Sequence, residues 1–185
     1  MDSVSNASDD GQYIKSFLNS IVSNMAIGQN DTLIEMAIID SDVHKLWNLT
    51  TYQTQSDLIA AIGNIDFGNS ISRLQLDFGD IRTFVRREAL KHRRGDRTDV
   101  QNELVLILDN QSRVTSSWYT STLWSSHNLS VLNGNVIVIS VGPMDDDDAA
   151  AEIESLATDP SHILHVGSYS ELETITDALL NLICS

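Results

Sequence analysis

Two long apolar runs place the tightest limit on how this chain can fold. Residues 104–108 read Leu-Val-Leu-Ile-Leu and end at Asp109, and residues 136–141 (Val-Ile-Val-Ile-Ser-Val) stop at a Gly-Pro pair. A strand that is apolar on both faces is buried on both faces, which is typical of a parallel sheet covered by helices. We therefore expect a sheet in which these two segments are interior strands.

Helical and strand-like spacings alternate along the rest of the chain. Apolar spacing and composition predict helices at 10–25, 55–62, 72–92, 116–128, 145–156 and 170–183. Short strands are predicted at 33–39, 43–49 and 163–166, and the second of these returns antiparallel to the first. This order predicts an α/β fold, a doubly wound, Rossmann-like, mostly parallel sheet with helices on both faces and one antiparallel edge strand.

Asp109 is the first candidate for a functional residue. It follows an interior strand directly. In doubly wound folds, ligands bind at the carboxyl ends of the strands, where the connections change direction. A carboxylate at this position is therefore placed to contact a ligand or a cation.

The charge of the chain excludes some partners. The 185 residues carry a formal net charge of −15, which repels nucleic acid and anionic membranes and suits basic partners or divalent cations. No apolar run approaches the roughly 18 residues that a membrane-spanning helix needs, so membrane insertion is not expected. Seven of the 11 Lys and Arg residues lie between Arg82 and Arg97, so one positive segment interrupts an acidic body.

The last third of the chain carries an ordered set of features. An apolar strand ends in Gly142, an acidic helix leads to Asp159-Pro160, a short strand follows at 163–166, and the terminal helix ends in Cys184. This order and spacing resemble the von Willebrand factor type A family, of the matrilin, collagen-associated and integrin-inserted kind. The likeness covers essentially the whole chain, so residues 1–185 are expected to form a single domain of this type.

The resemblance implies a metal-ion-dependent adhesion site, abbreviated MIDAS. The family builds it from an Asp-x-Ser-x-Ser loop, a hydroxyl residue of a second loop and the Asp at a strand end, around Mg²⁺ or Mn²⁺. Matching residue by residue gives the ligands Ser3, Ser5, Ser70 and Asp109. Met1 stands at the leading Asp position, and a slip of one residue would let Asp2 serve there at the cost of the serine register.

The resemblance also identifies a missing element. The family's first central strand and the usual partner of its terminal cysteine precede the metal-site loop, and neither has a counterpart before Met1. We therefore expect a sheet that lacks this strand and a Cys184 with no partner within the chain. A missing central strand leaves two unpaired edges and a gap in the core, so we expect this 185-residue chain to be poorly stable alone.

The function implied by the resemblance is adhesion outside the cell. Such a module is secreted into the extracellular matrix and engages an acidic residue of a matrix protein, such as a collagen-like protein, through its cation. No set of catalytic residues is visible, so an enzyme is not expected. Five Asn-x-Ser/Thr sequons fit a secreted glycoprotein, at Asn6, Asn30, Asn48, Asn110 and Asn128.

Two alternatives stay open at this point. The chain could instead be a metal-independent structural matrix module with a degenerate MIDAS, self-associating through its acidic body and the basic segment 82–97. Separately, Arg94-Gly95-Asp96 form an Arg-Gly-Asp tripeptide in a charged loop. Cell-surface integrins read such tripeptides at exposed loop tips, whereas a tripeptide also arises by chance.

Overall fold

The computed structural model describes residues 7–39, 43–67, 75–76, 95–97, 99–109, 113–114, 134–143, 151 and 156–184. Three α-helices lie in these ranges, namely α1 (Ala7–Ser23), α2 (Gln55–Gly63) and α3 (Thr176–Ile183). Short 3₁₀ helices span Pro160–His162 and Tyr169–Ile175. The strands are β1 (Met36–Ile39), β2 (Val43–Trp47), β3 (Gln75–Leu76), β4 (Asn102–Asp109), β5 (Arg113–Val114), β6 (Gly134–Val141) and β7 (Ile163–Val166).

The two long apolar runs are parallel strands, as predicted, and the structure shows that they are neighbours. Strands β4, β6 and β7 form one parallel sheet in the order β4-β6-β7, and Asp109 lies opposite Val141 in the register. The middle strand is buried on both faces, since side chains of both orientations are fully covered from Val136 to Ile139. The sheet is therefore the interior layer of an α/β fold.

One face of this sheet is covered by helices from both ends of the chain. Helix α1 packs against the 3₁₀ segment Tyr169–Ile175 and against α3. Phe17 of α1 and Leu172 of the 3₁₀ segment are fully buried there. The shared core consists of Ile14, Phe17, Ile21, Ile137, Ile139, Val141, Val166, Leu172 and Leu179.

Strands β1 and β2 form the predicted antiparallel pair, with Ile39 opposite Val43 and Met36 opposite Trp47. Strand β2 ends at Trp47 because the side chain of Asn48 redirects the backbone. Its Oδ1 accepts a hydrogen bond from the backbone N–H of Thr50 at 3.1 Å, which closes a turn. A second core joins this hairpin to α1 and α2 through Val22, Trp47, Leu58, Ile62 and Ile65.

The predicted helix at 72–92 is wrong at its start. Residues Gln75–Leu76 form strand β3, which pairs in parallel with Arg113–Val114. Pairing with a distant segment overrides the local helical spacing here. Most of this segment, all of the predicted helix at 116–128 and most of that at 145–156 lie outside the described residues.

The helix predicted at 145–156 does not reach Leu156, which lies in a turn and is buried. The segment that follows Leu156 is instead hydrogen-bonded to the beginning of strand β6. The hydroxyl of Thr158 accepts a hydrogen bond from the N–H of Val136 at 2.8 Å, and its own N–H donates to the Val136 carbonyl at 3.1 Å.

The helix predicted at 170–183 is two elements. Residues Tyr169–Ile175 form a 3₁₀ helix, and only Thr176–Ile183 is α-helical. A 3₁₀ helix has three residues per turn, so Tyr169, Leu172 and Ile175 fall on one side. All three belong to or pack against the shared core, which explains the tighter winding.

Candidate metal-binding site

Asp109 ends strand β4 at the carboxyl edge of the parallel sheet, where the fold class places ligands. Its side chain is half-buried. The hydroxyl of Tyr169 donates a hydrogen bond to Asp109 Oδ2 over 3.4 Å, close to the upper limit for such a bond. The 3₁₀ segment that follows β7 therefore reaches back over this edge of the sheet.

A second carboxylate acts on the same tyrosine. Asp10 lies in the first turn of α1 and is only 8% exposed. Burial raises the pKa of the Tyr169 phenol far above its ordinary value, and the negative charges of Asp109 and Asp10 raise it further. The start of α1, the end of β4 and the 3₁₀ segment thus converge on one acidic, oxygen-rich region.

The oxygen donor atoms of this region suit a hard divalent cation. Carboxylate and hydroxyl oxygens are the ligands that Mg²⁺ and Mn²⁺ prefer. The described residues hold no group of three or more His, Cys, Asp or Glu side chains arranged to bind a metal ion. A full coordination shell at Asp109 would therefore need oxygens from other loops.

Of the five predicted metal ligands, only Asp109 lies in the part of the chain that the structure describes. Asp109 lies where the sequence predicts it, at the carboxyl end of the apolar strand β4. The other four predicted ligands fall outside the described residues, and these are Asp2, Ser3, Ser5 and Ser70. Ala7 begins α1 just after the first three of them, and Asp10 in the same first turn lies close enough to Tyr169 to shift its pKa.

Sequence reasoning did not identify Asp10 and Tyr169 as members of this region. Asp10 has the ordinary signal of an acidic residue in the first turn of a helix, where it offsets the helix dipole. Tyr169 carries no local signal, because its position depends on the return of the chain after β7. Only the tertiary structure brings both to Asp109.

Gly95 and Asp96 of the Arg-Gly-Asp tripeptide lie against the body of the protein. Gly95 has a φ of 100°, and a Cβ there would lie 2.6 Å from the Thr50 side chain. Asp96 accepts a hydrogen bond from Asn102 Nδ2 at 3.2 Å. Gly95 and Asp96 are both half-buried, while Arg94 lies outside the described residues.

Two of the five sequons lie in the described residues. Asn30 is exposed in a turn. Asn48 is half-buried, and its Oδ1 accepts bonds from the Thr50 N–H, the Thr50 hydroxyl at 2.8 Å and the Thr51 hydroxyl at 3.1 Å. The sequons at Asn6, Asn110 and Asn128 fall outside this part of the chain.

Two further observations concern the environment of the protein. Among the described residues, no helix combines the length and the apolar character that crossing a membrane requires. Cys184 follows α3 as an exposed free thiol.

Comparison with known proteins gives matches over nearly the whole chain. Collagen alpha-1(XX) chain of Mus musculus is 27% identical over 177 residues, and that of Homo sapiens is 25% identical over the same length. Each alignment covers 94% of this chain and 12% of the collagen chain, so the chain spans about an eighth of these curated relatives.

Solved structures share the fold. Proximal thread matrix protein 1 (PTMP1) from the mussel byssus superposes with a TM-score of 0.80 at 21% identity, covering 96% of this chain and 43% of that one. Another PTMP1 structure, described as having a zinc-occupied MIDAS motif, has a TM-score of 0.79. The manganese-loaded TRAP protein of Plasmodium vivax gives 0.61 at 11% identity, over 90% of this chain and 65% of that one.

The family model of the von Willebrand factor type A domain matches residues 2–178, which is most of the chain. The parallel sheet, the helices packed on it and the strand-end Asp109 are those expected from the sequence. This chain belongs to the von Willebrand factor type A domain family.

Proposed function

We propose that this chain is an extracellular protein-binding module that engages an acidic residue of a matrix protein through a bound divalent cation. It acts by binding and is not an enzyme. The observation that carries the proposal is Asp109, a carboxylate at the carboxyl end of the parallel strand β4, near the first turn of α1. Ligands of doubly wound folds bind at this edge.

The chain would hold Mg²⁺ or Mn²⁺ with the carboxylate and hydroxyl oxygens that the sequence predicts there. A bound cation supplies one open coordination position that accepts a carboxylate from the partner. Tyr169 donates a hydrogen bond to Asp109 Oδ2, which helps to fix the position of this carboxylate. The proposed ligands are Asp109, Ser70, Ser3 and Ser5, with Asp2 as a helper beside them.

The relatives support the extracellular setting and the cation. Collagen alpha-1(XX) and the mussel thread protein are matrix proteins by name, and the structures of PTMP1 and TRAP are described with zinc and manganese. We extend these properties to this chain and propose that it is secreted, and that its partner is a collagen-like matrix protein. Glycans on the sequons at Asn30 and Asn48 belong to the same proposal.

Calorimetric titration of the chain with MgCl₂ and with MnCl₂ tests the cation directly. We expect saturable binding of one ion and its loss in Asp109→Ala. The matched control is Asp177→Ala, which removes an exposed carboxylate of α3 that lies in a different element. Binding that survives Asp109→Ala would place the cation elsewhere.

Partner binding is tested in the same samples. An immobilised collagen-like triple helix containing Glu should retain the chain in Mg²⁺ and release it in EDTA. If neither cation binds, the structural alternative takes over, in which the acidic body pairs with the basic segment 82–97 of another copy. Sedimentation at low and high salt would then show salt-sensitive self-association.

A further inference from the structure

The hydroxyl of Tyr169 makes the two oxygens of the Asp109 carboxylate unequal. It donates a hydrogen bond to Oδ2 over 3.4 Å. A tyrosine hydroxyl is protonated at neutral pH and has a single proton to donate, so this hydroxyl cannot serve Oδ1 at the same time. A cation that approaches Asp109 therefore meets two different oxygen atoms.

The ring of Tyr169 is fixed by the core of the protein. It is half-buried and packs against the shared core. Tyr169 begins the 3₁₀ helix, and Leu172, three residues later, is fully buried. Residues three apart lie on the same side of a 3₁₀ helix, so the anchor at Leu172 holds the ring on the side of the sheet. The hydroxyl thus lacks the rotational freedom of a surface tyrosine.

The backbone on both sides of this hydrogen bond is held by further bonds. The N–H of Gly142 donates to the Val166 carbonyl at 2.9 Å, which joins the ends of β6 and β7. The N–H of Gly167 donates to Glu171 Oε2 at 3.0 Å, which closes the short connection from β7 to the 3₁₀ helix. Asp109 itself is the last residue of the β4–β6 ladder. The donor and the acceptor therefore both belong to ordered elements.

The two classes of divalent cation use a carboxylate differently. Ca²⁺ takes six to eight oxygen ligands and can bind both oxygens of one carboxylate, whereas Mg²⁺ requires a nearly regular octahedron. With ligands at about 2.1 Å, the edge of that octahedron is about 3 Å, which is longer than the span between the two oxygens of one carboxylate. Mg²⁺ therefore takes one oxygen from each carboxylate.

A hydrogen bond to Oδ2 alone favours this one-oxygen mode. An oxygen that accepts a proton donor shares its negative charge with that donor, so it is the weaker metal ligand of the pair. Binding through both oxygens of Asp109 would weaken the bond from Tyr169, whereas binding through Oδ1 retains it. The cost of the two-oxygen mode falls on Ca²⁺ and not on Mg²⁺.

We propose that Tyr169 is a positioning residue that sets the cation preference of the site. Its hydroxyl holds Oδ2 of Asp109, directs the cation to Oδ1, and so favours Mg²⁺ or Mn²⁺ over Ca²⁺. The inference rests on the proposed function, because it requires that Asp109 binds a cation. It adds to the predicted ligands a residue that acts through Asp109 without contacting the cation.

Calorimetric titration of the 185-residue chain with MgCl₂ and with CaCl₂ tests the preference. The quantity compared is the ratio of the Kd for Ca²⁺ to the Kd for Mg²⁺. Tyr169→Phe keeps the aromatic ring against the core and removes only the hydroxyl. We expect this ratio to fall at least threefold in Tyr169→Phe, because the two-oxygen mode of Ca²⁺ no longer weakens a hydrogen bond.

Tyr52→Phe is the matched control. Tyr52 is also half-buried, and its ring lies edge-on to Trp47 at 5.4 Å between centroids, in the second core. The variant removes the same chemical group from a different part of the protein. Both dissociation constants should remain those of the unmodified chain.

Urea unfolding in EDTA tests the contact between the two side chains without any cation. The samples are the unmodified chain, Tyr169→Phe, Asp109→Ala and the double variant. If the hydroxyl holds Oδ2, the shift of the unfolding midpoint caused by Tyr169→Phe should be at least halved when Asp109 is already Ala.

Three results would overturn the proposal. An unchanged ratio of dissociation constants in Tyr169→Phe would reject Tyr169 as the determinant and leave the cation site itself in place. Equal midpoint shifts with and without the Asp109 carboxylate would mean that the hydroxyl does not hold it. If the unmodified chain bound neither cation, the proposed function would fail, and this inference would fail with it.

Discussion

The phenol of Tyr169 lies where two carboxylates from different elements act on it, and this has a consequence for alkaline stability. An unfolded tyrosine loses its proton near pH 10, whereas the folded protein keeps that of Tyr169. Above pH 10 the folded state therefore binds more protons, and the free energy of unfolding falls as the pH rises. In metal-free buffer we expect a slope of at most about 1.4 kcal/mol per pH unit from this group.

Urea unfolding between pH 9 and pH 11.5 measures this slope. Tyr169→Phe should reduce it, because the variant has no proton to lose at this position. Tyr13→Phe is the control, since Tyr13 is 42% exposed on α1. A slope that is the same in Tyr169→Phe and in the unmodified chain would contradict the assignment.

Glu103 lowers stability in a different pH range, at and below neutral pH, whereas Tyr169 acts above pH 10. Burial raises the pKa of its carboxyl group, although hydrogen bonds from Gln101 and Asn135 oppose the shift. The unfolded chain ionises this group more readily, so stability is lost as the pH rises through the raised pKa. Glu103→Gln should therefore raise the midpoint of urea unfolding at pH 7.

The same variant supplies its own control. At pH 3.5 the native carboxyl group is largely protonated, so the advantage of Glu103→Gln should shrink there. An advantage of equal size at both pH values would assign it to packing and not to charge.

At the level of single residues, the sequence predicts the position of Asp109 at a strand end well and its surroundings poorly. Asp109 is visible because it ends an apolar run, and the carboxyl end of such a run is a known ligand position. Asp10 and Tyr169 are separated from it by about a hundred and by 60 positions, and no periodicity links them. Their convergence depends on packing that a local pattern does not encode.

Among the elements, the pairing of β4 with β6 depends on a glycine. Gly134 begins β6 directly opposite Asn102, and a Cβ at this position would collide with the Asn102 backbone carbonyl. Neither backbone can move away without breaking the ladder. We expect Gly134→Ala to lower the free energy of unfolding by more than about 2 kcal/mol.

Gly63 is the matched control for this substitution. It is the last residue of α2, and a Cβ there meets nothing within 4 Å. Gly63→Ala should leave stability unchanged or raise it by up to about 1 kcal/mol, since alanine favours the helix. Equal losses in the two variants, measured by urea unfolding, would show that the contact with Asn102 is not decisive.

The 3₁₀ segment is anchored by one fully buried side chain, Leu172. Leu172→Ala removes three carbon atoms from the shared core and should cost about 2–5 kcal/mol in urea unfolding. Leu46→Ala, at a site 38% exposed, should cost less than about 0.5 kcal/mol. A loss at Leu172 as small as that at Leu46 would mean that the segment is not part of the core.

The boundaries of the elements show why apolar periodicity alone does not predict which type of helix forms. Residues 169–183 have apolar positions three and four apart, which fit both a 3₁₀ helix and an α-helix. Which of the two helices forms depends on which side chains pack against the sheet. Strand β7 was predicted with its correct bounds, because a short apolar stretch between Pro160 and Gly167 leaves little freedom.

For the whole molecule, the net charge of −15 makes stability depend on salt. Self-repulsion is screened as ionic strength rises, so NaCl should raise the melting temperature. MgCl₂ at the same ionic strength should raise it further if the proposed cation site binds. A magnesium concentration of 100 times Kd adds about 2.7 kcal/mol.

Asp109→Ala distinguishes screening from binding in this experiment. In that variant, NaCl and MgCl₂ of equal ionic strength should have the same effect on the melting temperature. A persistent excess for MgCl₂ would show that the stabilising magnesium does not depend on Asp109.

The position of strand β7 affects how the domain should respond to a pulling force. It borders the parallel sheet of the described residues, and four residue pairs join it to β6. A pull on the carboxyl end of the chain loads α3 and the 3₁₀ segment first and then reaches this short ladder. Its rupture would free residues 163–184, which extend to about 75 Å at full stretch. We therefore expect the carboxyl end of the domain to extend under force before the buried β4–β6 pair carries the load.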